Sequence, residues 1–246
     1  MSIETADDLI GLKAIGAIVA QVLRRMRDAV RAGIRTSDLD DIARQELARL
    51  GAESSPRLVY NFPGETCISV NDEIVHGIPG ARVLQAGDLV KLDVTAQKDG
   101  YVADACVSVA VPPVSNETQR LIRCAERAFR KATKWARAGN RVRDIGAAVE
   151  QEVIRSGFRV VRELCGHGVG RTIHEAPEIP NYFDRNAITP LTKGLVITIE
   201  PIISAGMGRA FTASDGWTVR TYDQARSAHF EHTIVITENE PILLTA

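Results

Sequence analysis

Residues 31–51 read RAGIRTSDLDDIARQELARLG, and residues 137–157 read RAGNRVRDIGAAVEQEVIRSG. At a fixed offset of 106 the two stretches share nine identities in 21 positions, among them Gly33/Gly139, Asp38/Asp144, Glu46/Glu152 and Gly51/Gly157. Two copies are too few for a solenoid, which needs three or more repeats to bury a continuous core. They point instead to two related halves packed about a pseudo-two-fold axis.

Working outward, each copy reads as a short helix closed by a glycine, Gly51 or Gly157, the residue type that tolerates the left-handed turn at a helix end. A longer amphipathic helix precedes each copy. The first runs roughly over 6–31, with Leu12, Ile15, Val19, Val22, Leu23 and Met26 on one stripe; the second runs roughly over 115–138, with Leu121, Ile122, Ala125, Ala128, Phe129 and Trp135. Pro112-Pro113 separates the halves. Segments rich in Val, Ile and Thr follow each helix pair: 66–71, 81–96 and 101–111, then 158–165, 194–204 and 228–237. Helices with antiparallel hairpins predict an α+β fold, its helices covering one face of a shared sheet. The halves, about 6–111 and 115–240, form one catalytic domain over 1–246.

Composition narrows the function classes. A chain of 246 residues that is 45% hydrophobic and 25% charged can bury an ordinary globular core. Its net charge of −1, without a basic tract, gives no footprint for nucleic acid or a membrane surface. No window approaches 18 consecutive apolar residues, so no membrane span is expected. The acidic start lacks the pattern of a secretory signal. Cys67, Cys106, Cys124 and Cys165 are far apart, which argues against a disulfide framework or zinc ribbon. A cytoplasmic location is expected.

Charged residues in apolar strands carry the chemistry. Asp93 lies in LVKLDV and Asp104 in YVADA, with Lys98-Asp99-Gly100 as a hairpin turn between them. A loop centred on 98 and 99 would set the two carboxylates directly opposite; a two-residue Asp99-Gly100 turn would make them diagonal neighbours on one face. Either way like charges repel across the ladder and are costly to bury unpaired. A divalent cation resolves both problems. The second half adds His167 in GHGVG, on a glycine-rich bend, Glu200 at the end of VITIEP, and Glu231 in HFEHT. Four carboxylates carry a charge of −4, which two divalent cations balance. An oxygen-rich set with one nitrogen suits Mn, Fe, Co or Zn. His76 and His174 lie in Gly/Pro-punctuated loops. His229 and His232 flank a ligand and read as supporting or surface groups with no assigned chemistry.

At this point the chain resembles the type I methionine aminopeptidases, of the pita-bread fold, over roughly 3–245. The resemblance rests on CISVN (67–71) leading to HGIP (76–79), on Asp93 and Asp104 eleven apart, on GHGVG (166–170) followed by His174-Glu175, on TIEP (198–201), on DGWTV (215–219) and on EHT (231–233). It implies two divalent metals, one held by Asp93, Asp104 and Glu231, the other by Asp104, His167, Glu200 and Glu231. It further implies that a metal-bridging hydroxide attacks the carbonyl of an N-terminal methionine. His174 would stabilise the oxyanion, His76 would interact at the scissile nitrogen, and Glu200 would shuttle the proton. Tyr60, Phe62, Cys67 and Trp217 become candidates for the methionine pocket. Substrates would be N-terminal peptides of nascent proteins at the ribosome, with a small second residue, and a monomer is expected.

The chain departs from the pattern where the family has Gly-Asp-Thr-Ser and this sequence has Ala103-Asp104-Ala105-Cys106. Losing those hydroxyls is expected to weaken hydrogen bonding around the ligands and hence metal retention. Ile173 precedes His174 where an aromatic is common, and Val75 rather than Cys precedes His76. The 26-residue gap from His174 to Glu200 leaves no room for the extra subdomain of type II relatives. A proline-directed relative would carry a preceding domain, and a silent binding module would lose ligands; neither expectation fits.

Overall fold

The computed structural model of the chain describes residues 1–246. Five helices, α1 (Ala6–Ala29), α2 (Thr36–Leu50), α3 (Ser55–Tyr60), α4 (Asn116–Ala132) and α5 (Val142–Arg155), alternate with fifteen strands. In the first half these are β1 (Glu53–Ser54), β2 (Cys67–Val70), β3 (Glu73–Val75), β4 (Leu89–Lys98) and β5 (Tyr101–Ala110). The second half has β6 (Arg159–Val160), β7 (Cys165–Gly168), β8 (Glu175–Pro180), β9 (Val196–Ile199), β10 (Ile202–Ser204), β11 (Ala210–Thr212), β12 (Val219–Thr221), β13 (Ser227–His229), β14 (Glu231–Val235) and β15 (Ile242–Leu243). The main sheet runs β1-β4-β5-β14-β9-β7-β8, with β2 on β4 and β15 on β14. Every pairing is antiparallel. No helix is long and apolar enough to cross a membrane.

The repeated residues perform repeated tasks. Asp38 and Asp144 each accept the backbone N–H three residues back, from Arg35 and Arg141, and so close the first turns of α2 and α5. Glu46 takes Arg49 and Gln21; Glu152 takes Arg155 and Arg127. Gln21 and Arg127 are themselves 106 apart, so the same helix-to-helix contact recurs in both halves. Gly51 and Gly157 hold φ of 66° and 83°, the left-handed conformation that a Cβ would strain.

Strand alternation then sorts the sheet into two faces. Val90, Leu92, Val94 and Ala96 with Ala103 and Ala105 pack under α1 and α2 in a core of 21 buried residues. Ile197, Ile199 and Ile234 pack under α4 and α5 in a core of 23. The opposite face is left for polar groups.

Three local expectations change. The second long helix ends at Ala132 rather than near 138, because the Ala138 N–H donates to the Thr237 carbonyl and Arg137 forms an isolated bridge with Thr237, just past β14. Trp135 therefore falls outside the helix and is 47% exposed. Residues 81–88 are not strand: Asp88 accepts the Gln85 N–H in a turn, and β4 starts at Leu89. Finally, the glycine-rich segment around His167 is a strand, not a bend.

Candidate metal centre

The hairpin between β4 and β5 turns on Asp99 and Gly100, both at positive φ, and pairs Lys98 with Tyr101. This selects the diagonal arrangement: Asp93 lies opposite Cys106, and Asp104 opposite Thr95. Residues in register form rows across the sheet. One row runs Cys67, Asp93, Cys106, Glu231 over four strands. A second row, two residues along and on the same face, holds Thr95 and Asp104, with Thr233 opposite Thr198 beyond them. Asp104 N–H donates to Thr233 Oγ1 at 2.9 Å, and that hydroxyl donates to the Asp104 carbonyl at 2.8 Å. Thr198 Oγ1 donates to Glu200 Oε1 at 2.9 Å and accepts the His167 N–H at 3.1 Å.

His167 enters between Gly166 and Gly168. A Cβ at those positions would lie 2.7 Å from the Thr198 carbonyl oxygen and 2.3 Å from that of Ala176. Glycine thus serves close strand packing here, which presses the imidazole into the site. Its Nδ1 donates to the Gly168 carbonyl at 2.9 Å, leaving the Nε2 lone pair free. Nε2 stands 3.8 Å from Asp104 Oδ2 and 3.6 Å from Glu200 Oε1.

Electrostatics show what the cluster lacks. Burial raises the Asp104 pKa from 3.8 to about 7. Burial first, and the Asp104 charge second, push Asp93, Glu200 and Glu231 well above the usual carboxylate range. Burial lowers His167 to about 4. Asp104 Oδ1 and Glu231 Oε1 are buried without any hydrogen-bond partner. Lys91, on the same face two residues from Asp93, gives its Nζ to the Asn71 carbonyl instead. Orphaned anionic oxygens beside a free imidazole lone pair fit divalent cations and little else. Asp104, His167 and Glu231 already bring three donor atoms within 4.8 Å of one another.

A pH dependence follows for the protein stripped by chelation. Asp104 holds a proton up to about pH 7 in the folded chain but only to 3.8 unfolded, so stability falls as pH rises between those values. His167, His229 and His232, depressed to about 4, 3 and 4 from 6.5, act oppositely, but only below 6.5. Lys91, depressed by burial to about 7 from 10.5, also acts oppositely above pH 7, so the Asp104 contribution is isolated by difference. From about pH 5 to about pH 7 the Tm of the chelated parent should fall by roughly 5 °C relative to that of chelated Asp104→Asn. Saturating Zn or Mn should raise the parent's Tm and flatten the slope. Differential scanning calorimetry of both proteins in EDTA checks this, and a parent Tm that does not fall relative to the variant over the interval refutes it.

The sequence-predicted residues converge. Asp93, Asp104, His167, Glu200 and Glu231 line one cavity of about 770 Å³ together with His76, His174, Tyr60, Phe62, Cys67 and Trp217. Phe62 is 3% exposed and meets Trp217 edge to face at 5.3 Å. Tyr60 Oη lies 2.7 Å from His174 Nδ1, and the His174 and His167 rings are 4.4 Å apart. His76, at φ 57°, turns its ring to the cavity, where burial and the neighbouring His174 lower its pKa.

Two expectations are narrowed. Ala105 faces the helices and is wholly buried among Val and Leu, so a hydroxyl there would not reach the candidate ligands, whereas Cys106 stands in the row with Asp93 and Glu231. Hydroxyls come instead from Thr198 and Thr233, and from Thr95, which bonds Asp104. Of the two readings of His229, supporting or surface, burial selects the first: it is 2% exposed and lines the same cavity. Two-residue spacing from Glu231 was the available signal, masked by the strand break at Phe230.

Comparison with known proteins agrees with this geometry. The profile of "Metallopeptidase family M24" matches residues 11–238. The chain is 44% identical to "Methionine aminopeptidase 2" of Bacillus subtilis (strain 168), over 100% of this chain and 99% of that one. The crystal structure of a methionine aminopeptidase from Thermotoga maritima superposes with a TM-score of 0.96 at 36% identity, covering 100% of this chain and 99% of the other. A prolidase from Pyrococcus furiosus shares the fold alone, at 22% identity and TM-score 0.80, this chain covering 65% of it. The chain belongs to metallopeptidase family M24 and, within it, to the methionine aminopeptidases.

Proposed function

We propose that this chain hydrolyses the first peptide bond of proteins that begin with methionine, using two divalent cations. The observation that carries this reading is the convergence of four carboxylates, the His167 imidazole, two further histidines and an apolar wall on one cavity. Asp93, Asp104 and Glu231 would hold one cation; Asp104, His167, Glu200 and Glu231 would hold the other. When bound, such a pair lowers the pKa of a water and polarises a carbonyl.

The chain's own residues supply the rest. Phe62, Cys67 and Trp217 offer apolar, sulfur-bearing surface to a thioether side chain. The buried Glu200 carboxylate accepts the water's proton and returns it to the departing amine. His174 donates to the developing oxyanion. His76 faces the scissile nitrogen. The halves act as one catalytic domain, working as a cytoplasmic monomer on nascent chains at the ribosome.

Peptides Met-X-Ser, assayed with each of Mn, Fe, Co and Zn, test the reading. Cleavage for small X and refusal of bulky X is expected. Release of X from X-Pro peptides in preference to methionine would overturn it. In the same assay Trp217→Ala should raise KM for Met-Ala-Ser about tenfold with a smaller change in kcat, since it removes pocket surface rather than chemistry. An unchanged KM would remove Trp217 from the pocket.

A further inference from the structure

His229 ends β13 one residue before β14 begins with Glu231. Its imidazole is almost fully enclosed, yet neither ring nitrogen has a hydrogen-bond partner. Burying an unpaired polar ring is costly, and such groups are rare without a reason. The backbone fixes its place: His229 N–H donates to Ser108 Oγ at 2.9 Å, and that hydroxyl donates to the His229 carbonyl at 2.8 Å. The strand also pairs His229 with Ile202, just beyond Glu200.

The distances decide what the ring does. His229 Nε2 lies 3.4 Å from Glu231 Oε2 and 3.6 Å from Glu200 Oε2. An N–H···O hydrogen bond would close to about 2.7–3.2 Å. Two donors bound to one cation at about 2.1 Å each stand ~3.4 Å apart at a tetrahedral angle. His167 Nε2 shows the same spacing, 3.6 and 3.8 Å, to Glu200 and Asp104. The two imidazoles flank Glu200, His167 at Oε1 and His229 at Oε2. Glu200, His229 and Glu231 together bring three donor atoms within 4.8 Å of one another.

We propose that His229 is a second imidazole ligand of this metal centre, binding a divalent cation together with Glu200 and Glu231. The inference rests on the two-cation reading above. It gives the centre four carboxylates and two nitrogens, a donor set that favours Fe, Co or Zn over Mn more strongly than one nitrogen does.

The test uses the full chain loaded with two equivalents of Zn. X-ray absorption at the zinc edge should show scattering from two imidazoles per chain, and from one in His229→Gln. Competitive dialysis should show zinc affinity falling about 10–100-fold in His229→Gln, with Mn affinity changed less than about threefold. One imidazole in the parent protein overturns the proposal, as does unchanged zinc affinity in a folded variant. A parent chain that retains no zinc overturns the metal centre itself. Should His229→Gln not fold, the parent spectrum alone decides between one and two imidazoles.

Discussion

Asp104→Asn should leave the chain with at most one bound divalent cation and cut kcat/KM for Met-Ala-Ser by on the order of 10³-fold or more. Asp104 sits at the centre of the cluster, in the row next to Asp93 and 3.8 Å from His167 Nε2. It is also the charge that does most to raise Asp93, Glu200 and Glu231. An amide keeps the shape but removes one anionic oxygen, so cation charge is no longer balanced. The same change has an opposite effect on the chelated protein. Removing the buried charge that bears on the other three carboxylates should make cation-free Asp104→Asn a few degrees more stable near pH 8 than the cation-free parent. With metal supplied, the order reverses, because only the parent gains full binding energy. Metal counting by mass spectrometry and calorimetry with and without EDTA read both effects. Two retained ions with activity within tenfold of the parent would sink the assignment.

That prediction was within reach of the sequence because Asp93 and Asp104 are out of place in apolar strands, and misplacement of charge is visible without a structure. The fold was legible for a similar reason. The 106-residue offset marks positions such as Asp38/Asp144 that do the same local work twice. Legibility stopped where one residue of register matters. Lys98-Asp99-Gly100 supports two turns, and only three-dimensional pairing chose the one placing Asp104 opposite Thr95. Parity explains the misreading of Ala105, which points to the helices while Cys106 points to the ligands. It also explains His229, whose shared face with Glu231 is hidden because Phe230 interrupts the strand. Trp135 failed differently: its helix periodicity was sound, but a tertiary bridge of Arg137 to Thr237 won over local propensity.

His174→Ala should lower kcat by about 10²–10³-fold while metal content stays at the parent value. The separation matters, because the proposed role gives His174 contact with the chemistry but not with a cation; its ring stacks edge-on against His167 at 4.4 Å. Burial lowers its pKa, which keeps the ring neutral at physiological pH, so it donates from one nitrogen only. For His174 to donate from Nε2, its Nδ1 must accept, and Tyr60 Oη lies 2.7 Å from that nitrogen. The Tyr60 phenol is pushed up by burial and stays protonated, so it can supply the proton that Nδ1 accepts. Tyr60→Phe should therefore lower kcat about tenfold, with KM affected less, because the ring loses its tautomer preference rather than its presence. In Tyr60→Phe/His174→Ala the two losses should not add, since Tyr60 acts through His174. Additive losses would make Tyr60 a pocket wall instead, and depletion of metal in His174→Ala would move that histidine into the cage.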